Sequence, residues 1–145
     1  MSLFSALSIS ASGMAAQRTR AELITENLAN AETTRTPDGG PYRRKDVVFR
    51  SESAASPFAS AMSSAMDGGT GGVSVSEILV VQRDPEQRYL PGHPDAGTNG
   101  YVAYPRINPA EEMVDLMSAS NGYLANVASM SALKEMIQRS IDLLR

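Results

Sequence analysis

The placement of proline constrains this chain more than any other feature. All 8 prolines lie between positions 37 and 109, whereas residues 3 to about 31 and 110 to 145 contain none and hold a single glycine each. Proline removes a helical hydrogen bond and clashes with the turn before it, so long helices are expected only at the two ends, with a turn-rich stretch between them. A length of 145 residues supplies one modest core and not two independent ones. Three segments follow: an N-terminal helix within residues 1–36, a central β- and turn-rich segment over 37–107, and a C-terminal helix within 108–145. The expected fold is mainly α with a small β-rich insertion, the terminal helices forming an antiparallel coiled-coil hairpin.

Both ends repeat every seven residues. At the N-terminal end Leu7, Met14, Ala21 and Leu28 form one row, and Leu3, Ser10, Gln17, Ile24 and Ala31 the row beside it. A further row of Ile9, Ala16 and Leu23 widens the apolar face beyond what one partner helix covers, which predicts more than one neighbour. At the C-terminal end Leu116, Tyr123, Met130, Ile137 and Leu144 form one row, and Met113, Ser120, Val127, Lys134 and Ile141 the other. The period is again 3.5. Asn108-Pro109-Ala110-Glu111-Glu112 marks the helix start: Asn108 can cap free N–H groups, Pro109 suits the first helical position, and two acids stand at the positive end of the dipole. Gly122 weakens the helix locally by roughly 1 kcal/mol relative to alanine.

On periodicity alone such a pair reads as an ordinary helical hairpin of a small globular protein. The seams, however, contain Ser, Ala, Gln and Lys. At about 25 cal/mol per Å2 they would barely offset the entropy of ordering the helices, so outside neighbours are needed. A subunit that polymerises and an adaptor that clasps one partner helix both meet that need.

The middle has a different texture. Residues 42–50 and 73–81 carry the β-branched content and partial alternation of strands, which predicts a small sheet or hairpin. Between them, residues 51–72 are dominated by Ser, Ala, Met and Gly, a composition that reads as a flexible loop; Phe58, Met62 and Met66 could form a turn or two of helix within it.

Composition excludes several functions. A net charge of −3 and an isoelectric point near 5.1 give no footprint for nucleic acid or anionic lipid. No apolar run reaches the roughly 18 to 20 residues of a membrane span, and the opening residues lack the charged and apolar regions of a cleaved secretory signal. With no cysteine, thiolate metal sites and cysteine nucleophiles are ruled out. The one histidine, His93, stands in Leu90-Pro91-Gly92-His93-Pro94-Asp95, a tight turn, and reads as a hydrogen-bonded turn residue rather than a base. His93 with Asp95 supplies at most two metal ligands, short of a closed site. Glu111 and Glu112, about 100° apart on a helix, cannot face each other as an acid–base pair and are assigned to helix-end electrostatics. Arg43-Arg44-Lys45 reads as a solvated strand or an inter-subunit salt bridge. No catalytic, cofactor or metal site is expected.

Two motifs at opposite ends carry a resemblance. Gly13-Met14-Ala15-Ala16-Gln17, followed by residues 26–34 (Glu-Asn-Leu-Ala-Asn-Ala-Glu-Thr-Thr), and residues 108–117 with Tyr123 and Ala125-Asn126-Val127, resemble the two ends of the flagellar rod and hook family. The middle motifs, residues 38–45, 91–96 and 100–105, are similar to those of its short proximal-rod members. The resemblance implies a structural subunit of the bacterial flagellar basal body, polymerising through its terminal helices into the axial driveshaft, with no enzymatic activity and no cofactor. It also implies export through the flagellar type III channel without a cleaved signal, a place in the periplasmic rod, and as partners other rod subunits and the adaptor at the export gate and MS ring. Neither nucleic acid nor direct membrane insertion is implied. The candidate subunit-interface residues are Leu7, Met14, Ile24, Asn27, Leu28 and Asn30 at one end, and Met113, Leu116, Tyr123, Val127, Met130, Ile137, Ile141 and Leu144 at the other. Asn27 and Asn30, one turn apart, can bond backbone where the chain leaves the helix.

Overall fold

The computed structural model describes residues 3–37, 39–52 and 71–143. Helix α1 (Leu3–Ala29) is followed by strands β1 (Lys45–Glu52), β2 (Gly72–Val80), β3 (Glu86–Tyr89) and β4 (Tyr101–Tyr104), then by helix α2 (Pro109–Asp142). At 1.5 Å per residue the 27 residues of α1 span about 40 Å and the 34 of α2 about 51 Å. The fold is mainly α, with two long helices in contact and short antiparallel strand pairs between them.

Each helix starts and persists for local reasons. The hydroxyls along α1 bond back to its own carbonyls, Ser10 to Ala6, Thr19 to Ala15 and Thr25 to Ala21, so a serine-rich helix leaves these donors satisfied. Helix α2 begins where the sequence places it. The Asn108 side chain accepts from the Ala110 N–H at 3.1 Å, with Pro109 next and Glu111 and Glu112 in the first turn.

The helices run antiparallel: Asn27 lies against Glu112, Gln17 against Gly122 and Gly13 against Asn126. The two glycines allow the close approach. A Cβ on Gly13 would stand 2.9 Å from Asn126 Oδ1, and one on Gly122 3.1 Å from Gln17 Cδ. The local helical weakness at Gly122 is thus the other side of a tight crossing.

Strands β1 and β2 pair antiparallel from Lys45 opposite Val80 to Glu52 opposite Gly72. The pairing consumes Ser51, Glu52 and Gly72, so the expected loop begins later and ends earlier than 51–72; residues 53–70, with Phe58, Met62 and Met66, lie outside the described residues. A register shift sets Val48 opposite Glu77 and Phe49 opposite Val75, leaving Ser76 as an extra residue. That bulge corrects the parity of β2. Val73 and Val75 before it and Ile78 and Val80 after it then share one face with Val47 and Phe49, opposite the face of Asp46, Arg50 and Glu77. The hairpin packs beside α1, where the Ser12 hydroxyl accepts from the Val73 N–H at 3.1 Å. Helix α1 therefore has two neighbours within the chain, α2 and this hairpin.

A second antiparallel pair, β3 with β4, from Glu86 opposite Tyr104 to Tyr89 opposite Tyr101, was not expected. Glu86-Gln87-Arg88-Tyr89 is exposed throughout and lacks β-branched residues, so its strand form comes from pairing, with Arg88 over the Tyr104 ring at 4.7 Å.

Candidate assembly interface

The apolar core is small: Ala16, Leu23, Ile24, Tyr42, Val102 and Ala119 are its buried members among the described residues. Beside it lies a buried polar cluster. Asn27 is 1 % exposed, and its amide is fully used. Its Oδ1 accepts from the Lys45 N–H at 2.9 Å and the Tyr42 hydroxyl at 3.1 Å; its Nδ2 donates to the Lys45 carbonyl at 2.8 Å and to Glu112 Oε2 at 3.4 Å. Glu112, 2 % exposed, accepts from Arg44 Nε at 2.6 Å. Arg44 continues to Asp46 and Asp115, Arg20 reaches Asp115 at 3.3 Å, and Lys45 Nζ donates to Glu26.

This network joins the end of α1, the start of β1 and the first turns of α2. Burial, then the nearby Glu26 and Glu112 carboxylates, pushes the Tyr42 phenol up to about 12. Two sequence expectations change here. Glu112 stands in the first turn of α2 as expected, but it is also a buried acceptor, because the chain entering β1 lays Arg44 across the helix start; of the two acids only Glu111 is exposed. Likewise Arg44 and Lys45 are engaged within the chain, while exposed Arg43 donates to Gln82 at 2.8 Å.

Asn30 behaves as its position suggests. Its Nδ2 donates to the Glu26 carbonyl, and its Oδ1 accepts from Thr33. In the 90–96 turn, His93 Nδ1 accepts from the Asp95 N–H at 3.1 Å, and Asp95 ties the turn to the segment after α1 by accepting from Thr34 at 2.8 Å. His93 is thus a hydrogen-bonded turn residue.

The helix faces sort the remaining candidates. In α1, Ile24 is buried, and Leu7, Met14 and Leu28 are half-buried on the flank of a face whose centre is Ala16, Leu23 and Asn27. In α2, Leu116, Met130 and Ile137 are half-buried toward α1, with Tyr123 more exposed. The row beside them is not Met113, Val127 and Ile141, as the heptads suggested, but Glu112, Ala119, Asn126 and Leu133, in which the small Ala119 lets the backbones approach. Met113, Val127 and Ile141 are exposed. With Met117 and Leu124 they make a second seam, at spacings of four, seven, three and fourteen residues, about 100° around the helix from the first. Met113 is 53 % exposed, Met117 59 % and Leu124 58 %. Over 34 residues, α2 buries only Glu112 and Ala119. Leu144 lies outside the described residues. Met117 and Leu124 were absent from the sequence-based candidates, although their seven-residue spacing was the available signal.

A helix with one seam used and another bare is what a repeating assembly requires, and known proteins name the assembly. The sequence family described as "Flagella basal body rod protein" matches residues 7–35, and the one described as "Flagellar basal body rod FlgEFG protein C-terminal" matches residues 98–143. The flagellar basal-body rod protein FlgC of Bacillus subtilis is 41 % identical, with 99 % of each chain covered. The chain belongs to the FlgC family of flagellar basal-body rod proteins. FlgC of Borreliella burgdorferi is 38 % identical over 100 % of this chain and 99 % of its own, and FlgC of Salmonella typhimurium 37 % over 99 % and 98 %. Membership in the FlgC family makes the chain a structural, non-enzymatic component of the flagellar basal-body rod. No helix among the described residues is long and apolar enough to cross a membrane.

Proposed function

We propose that the chain polymerises with other rod subunits by docking the outer seam of α2, Met113, Met117, Leu124, Val127 and Ile141, against helices of its neighbours, while the inner seam holds α1. The observation that carries this reading is the bare apolar seam itself: exposed large side chains recur at heptad spacing along a helix that buries two residues. Contacts of this kind, between different faces of successive subunits, do not close on themselves and extend into a helical filament. Many weak seams in parallel would give the axial tube its torsional stiffness for torque transmission. Family membership further supports a place in the proximal, periplasmic part of the rod, reached through the type III export channel. The adaptor of the export gate and MS ring would then lie below and further rod subunits above.

Replacing Met117 and Leu124 together with glutamate tests the reading. The expected result is a normally folded chain that fails to assemble and cells that do not swim. Wild-type swimming in the double variant, or a stable one-to-one complex with a single partner and no larger assembly at high concentration, would overturn it.

A further inference from the structure

A cleft of about 100 Å3 opens where the segments before β1, after β2 and after β4 converge, its lining including Arg43, Arg44, Arg83, Arg106, Pro85 and Pro105. Its charge is unlike the rest of the molecule. The chain as a whole carries a net charge of −3, yet among the described residues four arginines and no carboxylate line this cleft. Two of the four are committed: Arg44 to Glu112 and its neighbours, and Arg43 to the neutral Gln82. The side chains of Arg83 and Arg106 make no ion pair or hydrogen bond among the described residues, and both residues are exposed. Arg106 also feels Glu86, whose carboxyl is held low chiefly by Arg88 at 3.0 Å, with Arg106 a weaker contributor.

We infer that this arginine cleft is a docking point for a carboxylate-bearing segment of a neighbouring protein. Guanidinium groups accept carboxylates in a two-pronged, planar geometry, and the proline walls bring apolar surface without further backbone donors. A cleft of this size has room for the end of an acidic side chain projecting from a longer segment. The net negative charge elsewhere repels nucleic acid and anionic membrane. An acidic protein segment is the occupant that fits size and charge together. The contact lies apart from the α2 seam, on the β and loop side, and rests on the reading that this chain assembles with neighbours.

Binding of a fluorescently labelled, acetylated hexaglutamate peptide to the full chain, followed by anisotropy at low salt, tests the site. The Arg83→Ala/Arg106→Ala variant should bind at least tenfold more weakly with an unchanged thermal melt, since both side chains are exposed. Arg18→Ala, which removes an exposed arginine of α1, should bind as the wild type does. Absence of saturable binding, equal weakening by Arg18→Ala, or inorganic phosphate binding more tightly than the peptide would each overturn the inference. Failure of the seam reading is distinguishable: it leaves peptide binding intact while the Met117→Glu/Leu124→Glu cells swim.

Discussion

Asn27 occupies the position where one side chain can do most damage. It closes four hydrogen bonds and is the link through which α1 holds both the backbone of Lys45 and the carboxylate of Glu112. Removing the amide strands buried partners, each costing about 1 to 3 kcal/mol. Asn27→Ala should therefore lower stability by about 3 kcal/mol in denaturant titrations, whereas Asn30→Ala, at a half-buried turn, should cost about 1 kcal/mol. Tyr42 gives the same network a pH signature. Its phenol titrates at about 12 in the fold against 10 in the unfolded chain, so the folded state favours the neutral form. The stabilisation is complete below pH 10 and is lost as the pH rises toward 12. Thermal melts between pH 9 and 12 should show this loss, and Tyr42→Phe should flatten that part of the profile. None of this network was legible in sequence beyond the capacity of Asn27 to bond backbone. Its partners lie 15 to 85 positions away, and only the path of β1 across the helix ends brings them together.

At the level of elements, α2 separates stability from assembly. Ile137 and Leu116 are half-buried toward α1, so each alanine substitution should cost less than the 2 to 5 kcal/mol of a fully buried site, about 1 to 2 kcal/mol. Met117 and Leu124 face outward, and their replacement by glutamate should leave monomer stability within about 0.5 kcal/mol while abolishing assembly. Equal loss of stability from inner and outer variants, measured by chemical denaturation, would collapse the two seams into one. The heptad pattern revealed the existence, length and start of this helix because 3.5-residue periodicity and capping are local. It did not distinguish which row faces α1, because α2 carries apolar residues on two faces, and the face used inside the chain is the one with Gly122, Ala119 and Asn126. Small residues are weak in any hydrophobicity pattern, yet they decide how closely two helices pack. The bulge at Ser76 belongs to the same class: the parity switch between Val75 and Ile78 is visible in sequence, but its meaning requires the partner strand.

Across the whole molecule, order should fall from the polar hub toward the helix tips. The hub lies at one end, where α1, β1 and α2 meet, and the register that sets Gly13 against Asn126 brings Leu3 level with Met136. The last turns of α2 thus extend past the described part of α1, and Ile141 and Leu143 there are exposed. A helix end with no packed face has only its own propensity to hold it, and propensity alone sustains few turns in water. Amide hydrogen exchange on the dilute monomer should accordingly find the slowest amides in residues 20–29 and 110–120, and exchange near the unprotected limit beyond residue 138. In the assembled rod the same distal amides should become protected, since neighbouring subunits would then cover the outer seam. Strong protection of both distal ends in the dilute monomer would mean that the chain completes its own packing. The bare seam of α2 would then have no claim to be an assembly surface.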